Sequence, residues 1–215
     1  MPRPRVHDLD AILDAAEGLL ADGPSSALSI RSLAEATGAS SGSLYHAFGS
    51  RNELLGRLWA RAAGDYLGEL RRGVDGALDD ARPDHAAAVA ATVAAATTLA
   101  RLREARPTRA RLLVRHRRDE LVGDALSPAL AEELLGLQRG LDDELRRLAG
   151  ALWQRADRAA LEVVAACVVD LPVALLVPRR PRVVDGAALV GAAVRGLLAS
   201  PPPTPAEGGR RAGAT

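Results

Sequence analysis

The stretch from residue 40 to residue 48, SSGSLYHAF, combines small hydroxyl side chains with a neighbouring tyrosine and histidine. Hydroxyl, phenol and imidazole groups all donate hydrogen bonds. Leu44 and Phe48 repeat at the spacing of one helix face and predict its buried side. The outward side then carries Ser41, Gly42, Ser43, Tyr45 and His46. A face of small donors flanked by two rings fits a DNA major groove, and its rings can donate to phosphates.

Two short helices joined by a tight turn are predicted around this face. Ser29 is the expected N-cap of the first helix, which ends at Gly38 because glycine accepts a positive φ. Ser40 caps the second helix, which ends at Gly49. With small Ala34 allowing a close crossing, the pattern predicts a helix-turn-helix. The alternative is a pair of ordinary short helices in a bundle.

Helices are also predicted on both sides of this motif. Apolar residues repeat with helical periodicity over about 8–21. On the other side, Ser50 and Glu53 have the spacing of a capping box and open a fourth helix. The amide end of that helix, beside Arg51, is a candidate phosphate site.

Residues 9–59 resemble the DNA-binding domain of the TetR family of transcriptional repressors. The resemblance rests on ILDAAEGLLADG, SIRSLAEATGAS, SGSLYHAF and SRNELL. It implies that Ser29 binds a phosphate, that Arg31 reaches a base edge, and that Arg51 replaces the usual lysine. It also makes Tyr45 and His46 a phosphate-contacting pair. The predicted DNA-binding set is Ser29, Arg31, Ser40, Ser41, Gly42, Ser43, Tyr45, His46 and Arg51.

The rest of the chain has no strand pattern, and the predicted fold is all-α with about nine helices. Ala-rich and amphipathic stretches predict long helices separated by Pro and Gly breaks, with a kink at Pro172. Later helices are expected at 84–104, from the break at Pro107 to about 121, at 128–152, at 157–177 and at 185–199. The predicted domains are a helix-turn-helix domain at 1–50, a ligand-binding and dimerisation domain at 51–199, and a disordered tail at 200–215.

The resemblance implies a small-molecule effector and a homodimer. Two half-sites of a palindromic operator lie about 34 Å apart, which requires two paired subunits. The helices at 157–177 and 185–199 are the interface candidates, because they are apolar on more than one face; a place in the central core is the alternative. The candidate ligand-binding residues are Val93, Thr97, Leu113 and His116. The scarcity of aromatic side chains favours an aliphatic or acyl ligand.

Charge gives a mixed indication. The 28 cations are all arginine and face 27 acids, so the net charge of +1 favours no partner. Through residue 60, five arginines face seven acids, which is not a basic footprint. Eight arginines between residues 101 and 118 face Glu104 alone. They are interpreted as a solvated face, with attraction to DNA phosphates or to an anionic ligand as alternatives.

No feature of the sequence indicates catalysis, a cofactor or a metal site. The lone Cys167 lies in an apolar run and is predicted to be a buried thiol rather than a redox group. The four histidines lack ligand spacing, and no phosphate-binding loop or activated nucleophile is recognisable. No secretion signal or apolar run of about 18 residues is visible, so a cytoplasmic protein is expected.

The sequence thus predicts a DNA-binding transcriptional regulator, a repressor relieved by a ligand. The basic residues Arg3 and Arg5 form a candidate arm for the minor groove or phosphates. An all-helical binding or scaffold protein that does not bind DNA is the alternative, and the acidic N-terminal balance supports it.

Overall fold

The computed structural model describes residues 9–22, 28–79, 84–115, 126–176 and 185–202. Every element in these ranges is helical, which confirms the all-α prediction. The N-terminal arm, His116 and the tail beyond residue 202 lie outside the described residues. The helices are α1 (Leu9–Asp22), α2 (Ile30–Thr37), α3 (Ser41–Phe48), α4 (Arg51–Ala77), α5 (His85–Ala96), α6 (Thr98–Ala105), α7 (Pro107–Arg115), α8 (Pro128–Trp153), α9 (Arg158–Ala165), α10 (Leu171–Leu176) and α11 (Gly186–Leu198).

The chain forms two compact units, and each is assembled from two separate stretches. The first unit comprises Met1–Gly68 and Arg101–Arg139, and the second comprises Glu69–Ala100 and Gly140–Thr215. Helices α4 and α8 each run through both sets of residues. The domain boundaries at residues 50 and 199 remain predictions.

The core of the first unit is centred on the helix-turn-helix. Leu33 and Leu44 are 0% exposed and Phe48 is 2% exposed, and burial of each such side chain stabilises the fold by about 1.5–3 kcal/mol. Leu112 of α7 belongs to the same cluster, and α7 packs along α1. Helix α7 is therefore part of this unit. The other buried members are Ile12, Ala16, Leu20, Leu28, Ile30, Ala39, Leu54, Leu55, Leu58 and Ala62.

Glu53 joins α4 to the start of α8. Ser50 caps α4 as predicted, since its Oγ accepts from the Glu53 backbone N at 3.1 Å. The Glu53 carboxylate is turned to Ser127, however, and accepts from its backbone N at 2.9 Å and from its Oγ at 2.6 Å. Ser127 Oγ in turn accepts from the Leu130 backbone N at 3.3 Å. The predicted capping box is thus half right, because the carboxylate serves α8.

A glycine allows the close approach of α4 and α8 at this point. A Cβ at Gly56 would lie 2.7 Å from Leu130 Cδ2 and 3.3 Å from Leu126 Cδ2. Leu130 and Leu134 form a second cluster with Ala60. The first half of α8 is therefore built into the first unit.

In the second unit, Thr97 interrupts the helix that was expected to run unbroken from residue 84 to residue 104. Thr97 Oγ1 donates to the Val93 carbonyl at 2.9 Å, and Thr98 Oγ1 donates to the Ala94 carbonyl at 3.1 Å. Two consecutive threonine hydroxyls bonded to the preceding turn bend a helix, because they compete with its backbone hydrogen bonds. The break therefore has a local chemical cause.

The kink predicted at Pro172 takes the form of a π-helical turn between α9 and α10. This turn spans Ala166–Asp170, and the Leu171 N–H donates to the Ala166 carbonyl. Proline lacks an N–H and its ring crowds the preceding turn, so a wider turn accommodates it. Cys167 lies in this turn with 0% exposure, and burial raises the pKa of its thiol to about 11. The prediction of a buried thiol is confirmed.

The last helix of the second unit, α11, packs on α5 and α10. A Cβ at Gly191 would lie 3.4 Å from Val93 Cγ1, and one at Gly186 would lie 2.6 Å from Leu176 Cδ2. Two stretches, His85–Ala105 and Arg158–Leu176, are long and apolar enough to cross a membrane by length and composition. Core helices of soluble proteins meet the same criterion.

Substitution of Glu53 by Gln tests the junction of α4 and α8. Burial raises the pKa of Glu53, but the hydrogen bonds from Ser127 and the charge of Arg57 outweigh it, so the pKa lies below its ordinary value of 4.5. The contribution of this carboxylate to stability is therefore fully present above pH 4.5 and is lost as the pH falls through the folded-state pKa. We expect Glu53→Gln to lower the free energy of unfolding by about 1–3 kcal/mol at pH 7.

Urea unfolding at pH 7 and at pH 4 measures this effect, and the difference between wild type and variant should shrink at the lower pH. Glu132→Gln is the matched control, because Glu132 is 68% exposed and pairs with Arg139 on the surface. It should change the stability by less than about 0.5 kcal/mol. Equal losses in both variants would contradict a special role for Glu53.

Candidate nucleic-acid interface

Two serines cap the start of α2, and a glycine caps its end. Ser29 Oγ accepts from the Ser32 backbone N at 3.0 Å, and Ser32 Oγ accepts from the Ser29 backbone N at 2.9 Å. Ser29 Oγ also lies 3.0 Å from Ser32 Oγ. Gly38 ends the helix at φ 68° and ψ 7°, the left-handed conformation predicted for it. Ser29 is half-buried and already engaged, so its predicted phosphate contact must use its remaining hydrogen-bonding capacity.

Helix α3 exposes the side that carries the predicted contacts. Ser40 Oγ accepts from the Ser43 backbone N at 3.1 Å, and Ser43 Oγ donates to the Ser40 carbonyl at 2.8 Å. The Ser43 hydroxyl can therefore accept from a base but does not have its proton free to donate. Ser41 and Gly42 are exposed beside them. Ser40 and Ser43 thus stabilise the start of α3 and are also exposed to solvent.

Tyr45 and His46 lie on the same exposed side. Tyr45 is 56% exposed, although the chain holds only two tyrosines, two tryptophans and one phenylalanine. His46 is also exposed. A large aromatic side chain left in water contributes nothing to the core, which favours a partner outside the fold. The exposure of Tyr45 excludes only the form of the bundle alternative in which this tyrosine is buried.

Gly42 is a glycine that the fold itself does not require. Its φ is not in the left-handed region, and the nearest atom to an added Cβ is Ser40 Oγ at 4.0 Å. Glycine in a helix costs up to about 1 kcal/mol relative to alanine. A position with room for a side chain but without one suits the close approach of another molecule.

The side chain of Arg31 is held by Glu35, which was not among the predicted DNA-binding residues. Its Nε donates to Glu35 Oε1 at 3.0 Å, and the two side chains are 89% and 67% exposed. This i,i+4 pair uses Nε, so the two terminal nitrogens form the outer edge of the guanidinium. The four-residue spacing of the opposite charges was the available signal.

Arg51 has a structural role in addition to its predicted one. Its Nε donates to the Leu28 carbonyl at 2.7 Å, and the residue is half-buried. Arg51, at the start of α4, thereby fixes Leu28, the residue before the N-cap Ser29 of α2. A phosphate contact must come from the rest of its guanidinium.

Part of the acidic excess of the N-terminal segment is paired with arginines that lie later in the chain. Glu17 and Arg109 are 6% and 8% exposed, and Arg109 Nε lies 3.0 Å from both carboxylate oxygens of Glu17. Arg109 Nη1 also donates to Asp65. We call the six charged residues that meet here the α1–α4–α7 ion cluster. They are Asp14, Glu17, Arg61, Asp65, Arg106 and Arg109.

The pKa values of Glu17 and Asp65 are shifted in opposite directions. Burial raises the pKa of Glu17, and Arg109 and Arg61 offset only part of that effect. Burial acts in the same direction on Asp65, but hydrogen bonds from Arg106 and Arg109 outweigh it and hold its pKa below the ordinary value. Desolvation and ion pairing therefore compete at this site, with opposite outcomes.

Among the arginines of residues 101–118 whose side chains the structure describes, the interpretation as a solvated face needs correction only at Arg109, since the others are exposed. Arg109 is buried in the ion cluster, and Arg106 pairs with Asp65. Arg101, Arg103 and Arg111 are exposed, and residues 116–118 lie outside the described residues. The reason for the error is that the compensating acids lie far away in sequence, on α1 and α4.

The four candidate ligand residues do not come together within one unit. Leu113 packs against the core of the first unit, whereas Val93 and Thr97 belong to the second. Val93 faces Gly191, and Thr97 bonds to its own helix. His116 lies outside the described residues. Among the described residues, no group of three or more His, Cys, Asp and Glu side chains could hold a metal ion.

Comparison with known proteins adds the family. Residues 12–58 match the family model for bacterial regulatory proteins of the TetR family. The matched segment lies at the N-terminal end of the chain. It contains α2, the turn and α3, so the exposed face described above lies within the matched residues. No curated protein shows significant similarity to the chain.

Solved structures of TetR-family regulators share the fold over most of the chain. PfmR from Thermus thermophilus is 22% identical, with a TM-score of 0.57, and the match covers 87% of this chain and 97% of PfmR. FadR from Bacillus subtilis, solved in complex with stearoyl-CoA, is 16% identical, with a TM-score of 0.65 and coverage of 89% and 98%. FadR from Bacillus halodurans is 20% identical, with a TM-score of 0.56 and the same coverage. The chain has the fold of a TetR-family transcriptional regulator.

Replacement of Gly42 by Ala should change the stability of the fold and the affinity for DNA in opposite directions. We expect Gly42→Ala to raise the free energy of unfolding by a few tenths to about 1 kcal/mol, because alanine is the better helix former. The same methyl group should weaken binding to duplex DNA. Thermal unfolding and a gel shift measure the two effects.

Gly38→Ala provides the opposite case. Its φ of 68° strains any L side chain although the surrounding space is open, so the stability should fall by about 1–2 kcal/mol. A Gly42→Ala protein that is more stable and binds DNA as tightly as the wild type would show that the face needs no close approach.

Proposed function

We propose that this chain is a DNA-binding transcriptional regulator, a repressor that releases its operator when a small molecule binds. The observation that carries the proposal is the exposed side of α3, where Tyr45 and His46 stand beside small hydroxyl side chains over the buried Leu44. The TetR-family match of residues 12–58 supports it. No catalytic role is proposed.

In the proposed complex, α3 enters the major groove and its two rings donate to phosphates on the rim. Arg31 presents the outer edge of its guanidinium to a guanine, which accepts through O6 and N7. Glu35 supports this geometry, since a long side chain held by one hydrogen bond loses less conformational entropy on binding. Ser41, Gly42 and Ser43 keep the central part of the helix narrow.

The acidic excess of the N-terminal segment is weaker support for the scaffold alternative once its ion pairs are considered. Asp14 and Glu17 pair with Arg61 and Arg109, so these charges are neutralised locally and repel phosphates less than a count suggests. The scaffold alternative predicts that no duplex binds. A gel shift with the region upstream of the chain's own gene decides between the two.

The effector is proposed to be an aliphatic or acyl compound. The described interior of the second unit is built mainly from Ala, Val and Leu side chains, with Cys167, two buried threonines and the arginine-paired Glu144. The structure of FadR from Bacillus subtilis contains stearoyl-CoA, which supports the same class here. An effector that reached Val93 would displace α11, because Gly191 packs against that side chain.

A homodimer through 157–177 and 185–199 is proposed as the DNA-binding form. The helical stretch Arg158–Leu176 has a mean hydropathy of 2.2 in its most apolar window, and only 33% of that window is buried. Val173 and Leu197 are 38% and 45% exposed. An apolar helix that its own chain covers so little requires another partner.

A groove between α8 and α9 supports the same interface. It has a volume of about 510 Å³, and its apolar lining residues are Leu145, Leu161 and Ala165. It is also lined by two acids and two arginines, Asp142, Arg146, Arg158 and Glu162. A lining with equal numbers of both signs can pair with a copy of itself across a two-fold axis.

Two substitutions distinguish the proposed kinds of DNA contact. Tyr45→Ala should weaken binding to all duplexes alike, because phosphates carry no sequence information. Arg31→Ala should cost about 1–3 kcal/mol on the operator and relax the preference at one base pair. Fluorescence anisotropy with the operator and with single-base variants measures both effects.

Glu35→Ala serves as the control for Arg31. If Glu35 positions Arg31, its removal should relax preference at the same base pair and add nothing to Arg31→Ala. Uniformly tighter binding to all sequences would instead mean that Glu35 only repels phosphates. Wild-type affinity in both Tyr45→Ala and Arg31→Ala would refute the assigned DNA face.

The dimer is tested with Val173→Glu combined with Leu197→Glu. Both side chains are exposed on the chain, so the fold should tolerate them, whereas a buried interface should not. We expect a monomer in sedimentation velocity and a large loss of operator affinity. Leu135→Glu is the control, since this leucine is 45% exposed, lies on neither interface helix and does not line the groove. A dimeric double variant would exclude these helices as the interface.

A further inference from the structure

The α1–α4–α7 ion cluster is more elaborate than stability requires. Arg109 reaches Glu17 and Asp65, and its Nη2 lies 3.5 Å from Asp14 Oδ1. Arg61 approaches α1 from α4, with its Nη1 2.8 Å from Asp14 Oδ1. A buried ion pair is often no more stabilising than apolar side chains of the same volume, because desolvation of the charges offsets their attraction.

A buried guanidinium differs from an apolar side chain in its directionality. The Nε of Arg109 points at both oxygens of Glu17 at 3.0 Å, and this geometry is lost if α7 slides or rotates against α1. Apolar contacts between the same helices are non-directional and tolerate such movement. The pair therefore fixes the register of α7 on α1.

Helix α1 packs in the core that supports α3, the helix proposed to enter the major groove. Ile12, Ala16 and Leu20 of α1 are buried in the same core as Leu44 and Phe48 of α3. Glu17 lies on this inner side, next in sequence to Ala16. A shift of α1 would be felt in the core on which α3 rests, since packed interiors transmit strain.

We propose that Arg109 is a positioning residue for DNA binding: through Glu17 and Asp65 it locks α7 to α1 and α4 and holds α3 at the angle that the major groove requires. This inference rests on the proposed DNA-binding function. It adds that operator affinity depends on a residue of α7, outside the residues matched by the family model.

The design of the test follows from the remaining partners. Arg109→Met alone would leave Glu17 with Arg61 only, and a loss of folding would then be uninformative. In the double variant Glu17→Met, Arg109→Met, every remaining charge keeps a partner. Asp65 retains Arg106, and Asp14 and Arg61 retain each other. One acid and one base are removed together, so the net charge and the long-range attraction to DNA are unchanged.

The experiment measures the melting temperature and the affinity for a duplex containing the upstream region that the wild type binds. We expect the double variant to melt at or above the wild-type temperature and to bind its operator about tenfold or more weakly, comparable to the loss of one base contact. The salt dependence of binding should keep its slope, since no phosphate contact has been removed. Hydrogen exchange of the α2 and α3 amides should be faster than in the wild type.

Two further variants make the result decisive. Arg109→Lys keeps the charge but not the planar fork, and it should lie between wild type and double variant in affinity. Leu134→Ala destabilises the separate α4–α8 cluster without touching the ions.

The proposal is overturned if the double variant binds the operator as tightly as the wild type. It is equally overturned if the double variant loses melting temperature and affinity in the same ratio as Leu134→Ala, because the ion cluster then acts only through folding. A wild type that binds no duplex refutes the proposed function itself, and the positioning role falls with it.

Discussion

A guanidinium buried on α7 constrains much of the first unit. Arg109 and Glu17 are both less than a tenth exposed and face each other at 3.0 Å. Each charge needs ion-pair partners to remain buried, because an unpaired ion in a protein interior costs several kcal/mol. The pair therefore commits α7 to α1, and Leu112 then completes the core that α1 shares with α3. A segment far away in sequence thereby becomes part of the core on which α3 rests.

The same pairing reconciles an acidic N-terminal segment with a proposed affinity for DNA. Charge counting treats every carboxylate as facing the solvent, whereas Glu17 and Asp65 face arginines from α4, from α7 and from the residue that precedes α7. What a duplex would meet is the outer side of α2 and α3, where hydroxyls, two rings and the Arg31–Glu35 pair are exposed. Local arrangement, rather than net charge, decides the character of this surface.

What the sequence could predict depends on the distance over which each interaction acts. The caps at Ser29, Gly38 and Ser40 were predictable because a cap involves residues within about four positions. The all-α class and the buried side of α3 followed from periodicity in the same way. The partner of Arg109 lies 92 positions away, and Glu53 turned to Ser127, 74 positions away, instead of closing its local box. Long-range partners of this kind leave no periodic signal, although Glu17 on an apolar stripe indicated that some buried cation was required.

The α3 face shows how a fold can leave room for a function that it does not need. Leu44 and Phe48 anchor the helix from behind, and burial of those two side chains suffices to hold such a short helix on the core. Once the back is secured, the front is free of packing demands, and residues that are poor for a helix can be placed there. Gly42 costs helix stability, and Tyr45 leaves an aromatic ring in water. Because each choice is unfavourable for the isolated chain, a partner in contact with this face is the simplest physical reason for both.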